Sequence, residues 1–350
     1  MVWNFSQPLC RYLYRHRNKL IFTGVFVGGV VGSLKLAEYT IAEFFAAEQR
    51  NAAENQRKLQ TFNQIHQHSL ALAEAMLDSV IERLEIIVDT DAITRKLKTS
   101  QGNKVDLWNE LKIRIFTKIS TAVFVVPILL IVVQTQLNQI SGYTQSSTET
   151  DEQQEEFLST PHKYLLEGGI EKLVLHISGV AKNVTGTMPL QCPMNSTALE
   201  TIIRSICSSV MSDTSSGKFS VINYVFPQKI LDLDVLSSED SLEDNLNFWF
   251  MQTLDILDSP DCMRVFVHCI SESISSLGNE MQDSIAAKTP NAEEENNFSE
   301  VPSLPLAKTL PLLNAKLKSI CSKRFLTELS SLEIFQKFIS NIYDSFLSVF

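Results

Sequence analysis

Apolar residues recur along this chain at helical spacing, and no stretch alternates long enough to demand a sheet. From Ser33 to Gln101 there is neither glycine nor proline. Within that stretch, "EYTIAEFFAAEQRNAAENQRKLQTFNQIHQHSLALAEAMLDSVIERLEIIV" is rich in strong helix formers. The pattern predicts one long helix, a spine for shorter helices. "DTDAITRKLKTSQGNK" reads as a short helix and a turn, and a second long helix runs from Asn103 or Lys104 to the breaker Gly142. Beyond the acidic loop "TQSSTETDEQQEE", a helix pair is expected around a break at Gly168 and Gly169. Asn195-Ser196-Thr197 ahead of Glu200 marks another helix start, and Ser259-Pro260 divides two more helices. "AAKTPNAEEENNFSEVPSLP" is a solvated linker before the closing helices. The predicted fold class is all-α.

Two uncharged runs raise the question of a membrane. Leu20 to Leu34, "LIFTGVFVGGVVGSL", follows Arg11, Arg15, His16, Arg17 and Lys19. Its helical length is about 22 Å, against a hydrocarbon core of roughly 30 Å, and Lys19 and Lys35 can snorkel to extend it. Gly24, Gly28 and Gly32 form overlapping GxxxG steps that let another helix approach closely. A basic region before a short apolar run also resembles a signal peptide, but the run passes straight into "KLAEYTIAEFF" without a turn residue. An uncleaved anchor over 20–37 is the expectation. The second run, "ISTAVFVVPILLIVV" at 119–133, passes the same filter. Length alone leaves two readings open, a span or the central helix of a bundle, and Pro127 interrupts either.

Composition narrows the function classes. The formal charge of −10 disfavours a nucleic-acid partner, and an apolar content of 44% supports a sizeable core. The six cysteines lack CxxC pairs and regular spacing, which reads as reduced thiols and a cytosolic setting. No GxSxG, P-loop, GxGxxG after a strand or HExxH occurs. His66 and His68, at i,i+2, point to different sides of a helix and read as solvent-facing. Cys262 and Cys269 share a face but stand too far apart for one zinc ion, so they read as core. No catalytic residue, cofactor or metal site is expected.

"NKVDLWNELK" at 103–112 remains unexplained by these rules. Glu110 and Arg114 make a solvated i,i+4 pair, yet Val105, Trp108, Leu111 or Lys112, and Ile115 fall on one stripe. Trp108 is either a core residue near a helix start or an exposed binding anchor.

The order of "GVFVGGVVG", the long helix, "LWNELKIRIFT", "QTQLNQISGY", "EEFLSTPHKYLLEGG", "DILDSPD" and "SLPLAKTLP" resembles the peroxin-3 family across nearly the whole chain. Residues 103–143 and 157–169 carry the resemblance most specifically; 180–245 diverge. The resemblance implies an elongated, kinked helical bundle on a long N-terminal spine helix, preceded by one transmembrane helix. The segments would be a basic targeting segment (1–19), the anchor (20–37) and a cytosolic bundle (38–350), with the helix at 113–140 running through the bundle. It also implies a docking receptor for the import chaperone peroxin-19, supporting insertion of peroxisomal membrane proteins and peroxisome biogenesis. The partner's amphipathic N-terminal helix would enter a groove on which Trp108 is the anchor. Leu97, Lys98, Lys104, Leu107 and Leu111 match the groove and its rim, and Lys308 matches a lysine lining a pocket for an aromatic side chain. Arg11, Arg15, Arg17 and Lys19 would belong to the targeting signal at the peroxisomal membrane lipid. Inheritance or pexophagy factors are further partners of some relatives. The positive-inside rule would put the basic cluster in the cytosol, opposite to the family's topology. A polytopic protein spanning at 119–137 and an anchored secretory-pathway protein are the rival readings.

Overall fold

In the computed structural model, described residues are 17–99, 103–143, 151–212, 219–231, 241–289 and 302–347, with only the backbone described for 17–47, 51, 143, 151, 241–245 and 347. Helix α1 spans Arg17–Ile87, in keeping with its lack of interior breakers beyond the glycines of its first turns. It is followed by α2 (Thr90–Lys98), α3 (Lys104–Tyr143) and α4 (Asp151–Tyr164). A π-helical turn, Leu165–Gly169, leads into α5 (Ile170–Thr185). Then come strand β1 (Pro193–Met194), α6 (Ser196–Ser212), α7 (Ile222–Val225), α8 (Gln228–Leu231), α9 (Ser241–Leu257) and α10 (Pro260–Ala286). The chain closes with β2 (Leu304–Pro305), α11 (Leu306–Ala315), α12 (Leu317–Ile320), α13 (Lys323–Ser330) and α14 (Glu333–Leu347). The all-α expectation holds, with one two-stranded addition: Pro193 and Met194 pair antiparallel with Pro305 and Leu304.

The chain forms two compact units, Met1–Thr61 and Phe62–Phe350. In the first, Glu54 and Lys58 make an exposed i,i+4 ion pair at 2.9 Å. Arg11 and Arg15 lie outside the described residues. Arg17, Lys19, Gly24, Gly28 and Gly32 are described only as helical backbone, so the expected anchor and targeting contacts lie outside what the side chains show.

The second unit is built around α3. This helix is long and apolar enough to cross a membrane, yet its most apolar stretch is wholly buried by protein. Phe116, Ile119, Phe124, Ile128 and Val133 are inaccessible to solvent. Phe124 packs edge-on against Phe219 and Phe266, with centroids 5.6 and 5.8 Å away. The polar tail "QTQLNQ" has a structural job here. Gln136 donates to the Phe157 carbonyl at 2.5 Å, Asn138 to that of Ile339 at 3.2 Å, and the Thr253 hydroxyl donates to Gln139 at 2.7 Å. These bonds fasten α3 to α4, α14 and α9, and such polar contacts inside a core fix one register among several apolar ones. The core-helix reading of 119–133 therefore replaces the membrane-span reading.

Two local expectations need correction. His66 is half-buried, not solvent-facing: its Nδ1 lies 3.0 Å from Gln134 Oε1, which also accepts from Ser69. His68 is exposed, as expected. The Gly168-Gly169 pair does not break the helix. It carries the π turn, because a Cβ on Gly169 would lie 1.9 Å from the Tyr224 carbonyl oxygen, and only glycine lets α7 come so close. Cap residues fall where the sequence put them. The Asn195 side chain accepts from Ala198 N at 2.8 Å, and Ser259 accepts from Cys262 N at 3.1 Å ahead of Pro260. Cys262 and Cys269 are core, and burial pushes both thiols up to about 12.

Candidate functional site

Helices α2 and α3 meet as an antiparallel pair whose contacts are set by charge and capping. Asp89 caps α2 by accepting from Ala92 N at 2.8 Å, and this bond holds its carboxyl below the usual range. The Asp89 carbonyl in turn accepts from Arg114 Nη1 at 3.0 Å, while Arg114 Nη2 pairs with Glu110 at 2.7 Å. Lys118, buried on α3, reaches the Thr90 hydroxyl at 3.4 Å. Burial lowers the pKa of its ammonium, with Glu85, Asp91 and Asp89 pulling the other way. At the opposite end, Asn103 caps α3, its side chain accepting from Val105 N at 3.1 Å and donating to Asp106 at 2.9 Å.

The third wall comes from far along the chain. Leu306 N donates to the Cys192 carbonyl at 2.9 Å and Ala307 N to that of Leu190 at 3.0 Å, extending the β1–β2 pairing. The start of α11 is thereby tied to the loop that follows α5. The same loop is gripped from α3. Lys112 is fully buried, and its ammonium donates to the Met188 carbonyl at 2.7 Å and reaches that of Gly186 at 3.4 Å. Burial pushes the Lys112 ammonium below its ordinary range. A cation at the C-terminal end of a helix such as α5 also meets the negative end of its dipole.

Between these walls lies a groove of about 530 Å³. Thr90, Asp91, Thr94, Leu97 and Lys98 line it from α2; Lys104, Trp108, Leu111 and Ile115 from α3; Pro311 and Asn314 from α11. Each long wall presents residues at i, i+4 and i+7, the spacing of one helical face. Leu111 and Ile115 are buried and belong to the core, Trp108 is half-buried against it, and Lys98 and Lys104 are exposed. The arrangement is an apolar floor with an aromatic wall and one cationic end, where the close of α2 meets the start of α3, suited to holding a chain segment. Among the described residues no group of three or more His, Cys, Asp or Glu side chains is placed to hold a metal.

Of the residues expected here, Leu97, Lys98, Lys104, Trp108 and Leu111 come together. Leu107 does not line the groove. It sits about 100° round α3 from Trp108 and packs half-buried against the core. Lys308 is exposed on the first turn of α11 and is likewise absent from the lining, which takes Pro311 and Asn314 instead. Thr90, Asp91, Thr94, Pro311 and Asn314 were not expected. Thr90 and Thr94 continue the i, i+4, i+7 face of Leu97, and Asp91 shares the i, i+3, i+7 row of Thr94 and Lys98, a legible signal; nothing in the sequence joins Pro311 and Asn314 to α2.

Comparison with known proteins adds the lineage. Residues 139–345 match the family described as Peroxin-3. The chain is 28% identical over 373 residues to Peroxisomal biogenesis factor 3 of Bos taurus, covering 99% of this chain and 97% of that one. The Homo sapiens protein of the same name gives the same figures. Peroxisome biogenesis protein 3-1 of Arabidopsis thaliana is 22% identical over 377 residues, covering 96% of this chain and 98% of that one. On the family match and these full-length relatives, the chain belongs to the peroxin-3 family of peroxisome biogenesis factors.

Proposed function

We propose that this chain is a docking receptor at the peroxisomal membrane, binding the import chaperone peroxin-19 and so supporting insertion of peroxisomal membrane proteins. One observation carries the reading: the groove of about 530 Å³ with Trp108 on its wall, Leu97 and Leu111 beside it, and Lys98 and Lys104 together at one end. An amphipathic helix laid into such a groove buries its apolar anchors against the tryptophan and leucines. The lysine stems extend the apolar surface while their ammonium groups meet carboxylates on the partner's flanks. Residues 20–37 would anchor the chain, with 1–19 directing it to the membrane and the bundle facing the cytosol. A second span at 119–137 is not part of this proposal, because that segment is enclosed by other helices.

The test uses the full chain in detergent micelles, titrated calorimetrically with the N-terminal helical peptide of peroxin-19. Saturable one-to-one binding is expected, weakened by charge reversal at Lys98 and Lys104. A folded chain that takes up no peptide would overturn the proposal.

A further inference from the structure

Asn314 is the group in the groove whose chemistry the helix-in-groove reading does not use. It sits on α11 one turn beyond Pro311, and both line the groove. Its Oδ1 is buried and has no hydrogen-bond partner. The neighbouring polar groups are otherwise accounted for. The Thr94 hydroxyl donates to the Thr90 carbonyl at 2.9 Å, and the Thr90 hydroxyl receives the Lys118 ammonium. Asp91, Lys98 and Lys104 are exposed to water. An unpaired buried acceptor is a standing free-energy cost, and native proteins leave few of them. An apolar helix seated in the groove would leave that cost in place.

We infer that Asn314 is a specificity-determining contact of the groove, its half-buried carboxamide turning so that the oxygen accepts a hydrogen bond from a donor side chain on the seated helix. The donor is a hydroxyl, amide or ammonium group, carried on the helix face that also bears the residue packed on Trp108. This inference rests on the helix-in-groove reading. It adds that the groove selects among amphipathic helices: one with the same apolar anchors but no donor in register leaves Asn314 unpaired and binds less well. Discrimination by a missing hydrogen-bond partner is steeper than discrimination by a methylene, because the unpaired group stays buried.

The experiment is a set of cycles between chain and peptide. The full chain in micelles is titrated with the peroxin-19 N-terminal peptide and with alanine variants at each of its polar positions. Asn314→Leu is expected to weaken binding about tenfold with an unchanged thermal midpoint. Asn314→Asp keeps the acceptor and is expected to stay within about threefold of the unaltered chain. One peptide position should lose affinity on alanine substitution against the unaltered chain and change less than twofold against Asn314→Leu. If Asn314→Leu unfolds, the same cycle run with Asn314→Ala reads the contact, with the same coupled peptide position expected. Equal or tighter binding by Asn314→Leu, no coupled peptide position, or equal losses in the Leu and Asp variants would overturn the inference. In those cases binding by the unaltered chain and its loss in Trp108→Ala would leave the docking reading standing. No binding by the unaltered chain overturns both.

Discussion

The ammonium of Lys112 lies 2.7 Å from the carbonyl oxygen of Met188, inside the protein and beneath a groove that it does not line. The loop it holds also receives the start of α11 through the carbonyls of Leu190 and Cys192. One loop therefore ties two walls of the groove together. Lys112→Ala removes a long buried stem and leaves the Met188 carbonyl unpaired, and should cost about 3 kcal/mol of stability. Lys112→Met keeps most of the volume and relieves the buried charge, and should cost about 1 kcal/mol. Urea unfolding of the three chains checks the order. Peptide affinity should fall in Lys112→Ala although the residue lies outside the groove.

His162 offers a pH test of the core. It is buried on α4, its Nε2 has no partner, and burial lowers its pKa from 6.5 to about 4. As pH falls, the unfolded chain takes up the proton first, so the unfolded state binds more protons between these values. Stability therefore falls as pH drops from 6.5 toward 4, by up to roughly 3 kcal/mol. Below the folded value no further loss comes from this group. His162→Gln should flatten this part of the stability profile in chemical unfolding at fixed pH steps.

Two glycines should respond with opposite signs. A methyl group on Gly179, in the middle of α5, would meet nothing within 4 Å, so Gly179→Ala should stabilise by about 0.5–1 kcal/mol through helix propensity. The same methyl on Gly169 would strike the Tyr224 carbonyl at 1.9 Å, and Gly169→Ala should destabilise by about 2 kcal/mol or more. Thermal midpoints of the two variants check the contrast.

For the N-terminal segment, replacing Arg15, Arg17 and Lys19 with neutral residues should disperse the chain from peroxisomes. The basic flank and the apolar run after it together form the expected targeting signal. Fluorescence imaging of the tagged triple variant decides this, and unchanged puncta would remove the basic cluster from the signal. Gly28→Leu should reduce helix-to-helix contact in the membrane; crosslinking at wild-type levels would set the GxxxG reading aside.

Much of the fold could be read from local signals. The helix over 38–87 follows from the absence of breakers, and the starts at Asn195 and Ser259 follow from capping chemistry. The central helix was ambiguous because a membrane span and a bundle core look alike in composition. The resemblance decided in favour of the core, and the buried bonds of Gln136, Asn138 and Gln139 now give the physical reason. The burial of His66 is not legible locally because its partners Gln134 and Gln336 are distant in sequence. The groove was half legible. Leu97, Trp108 and Leu111 lie within a few turns of one another, whereas Pro311 and Asn314 arrive through strand pairing and loop contacts that no local pattern encodes.

The account turns on Trp108, and one pair of measurements on a single variant tests it most directly. Trp108 is half-buried on the groove wall, so truncating it removes a contact surface without emptying a closed cavity. Trp108→Ala should weaken binding of the peroxin-19 N-terminal peptide by about 2 kcal/mol or more, the scale of a central aromatic anchor. Its thermal midpoint should stay close to that of the unaltered chain. A buried core tryptophan would instead cost roughly 3–5 kcal/mol of stability. Lost affinity with an unchanged midpoint is the predicted result; a collapsed midpoint, or full affinity with Trp108 gone, would contradict the account.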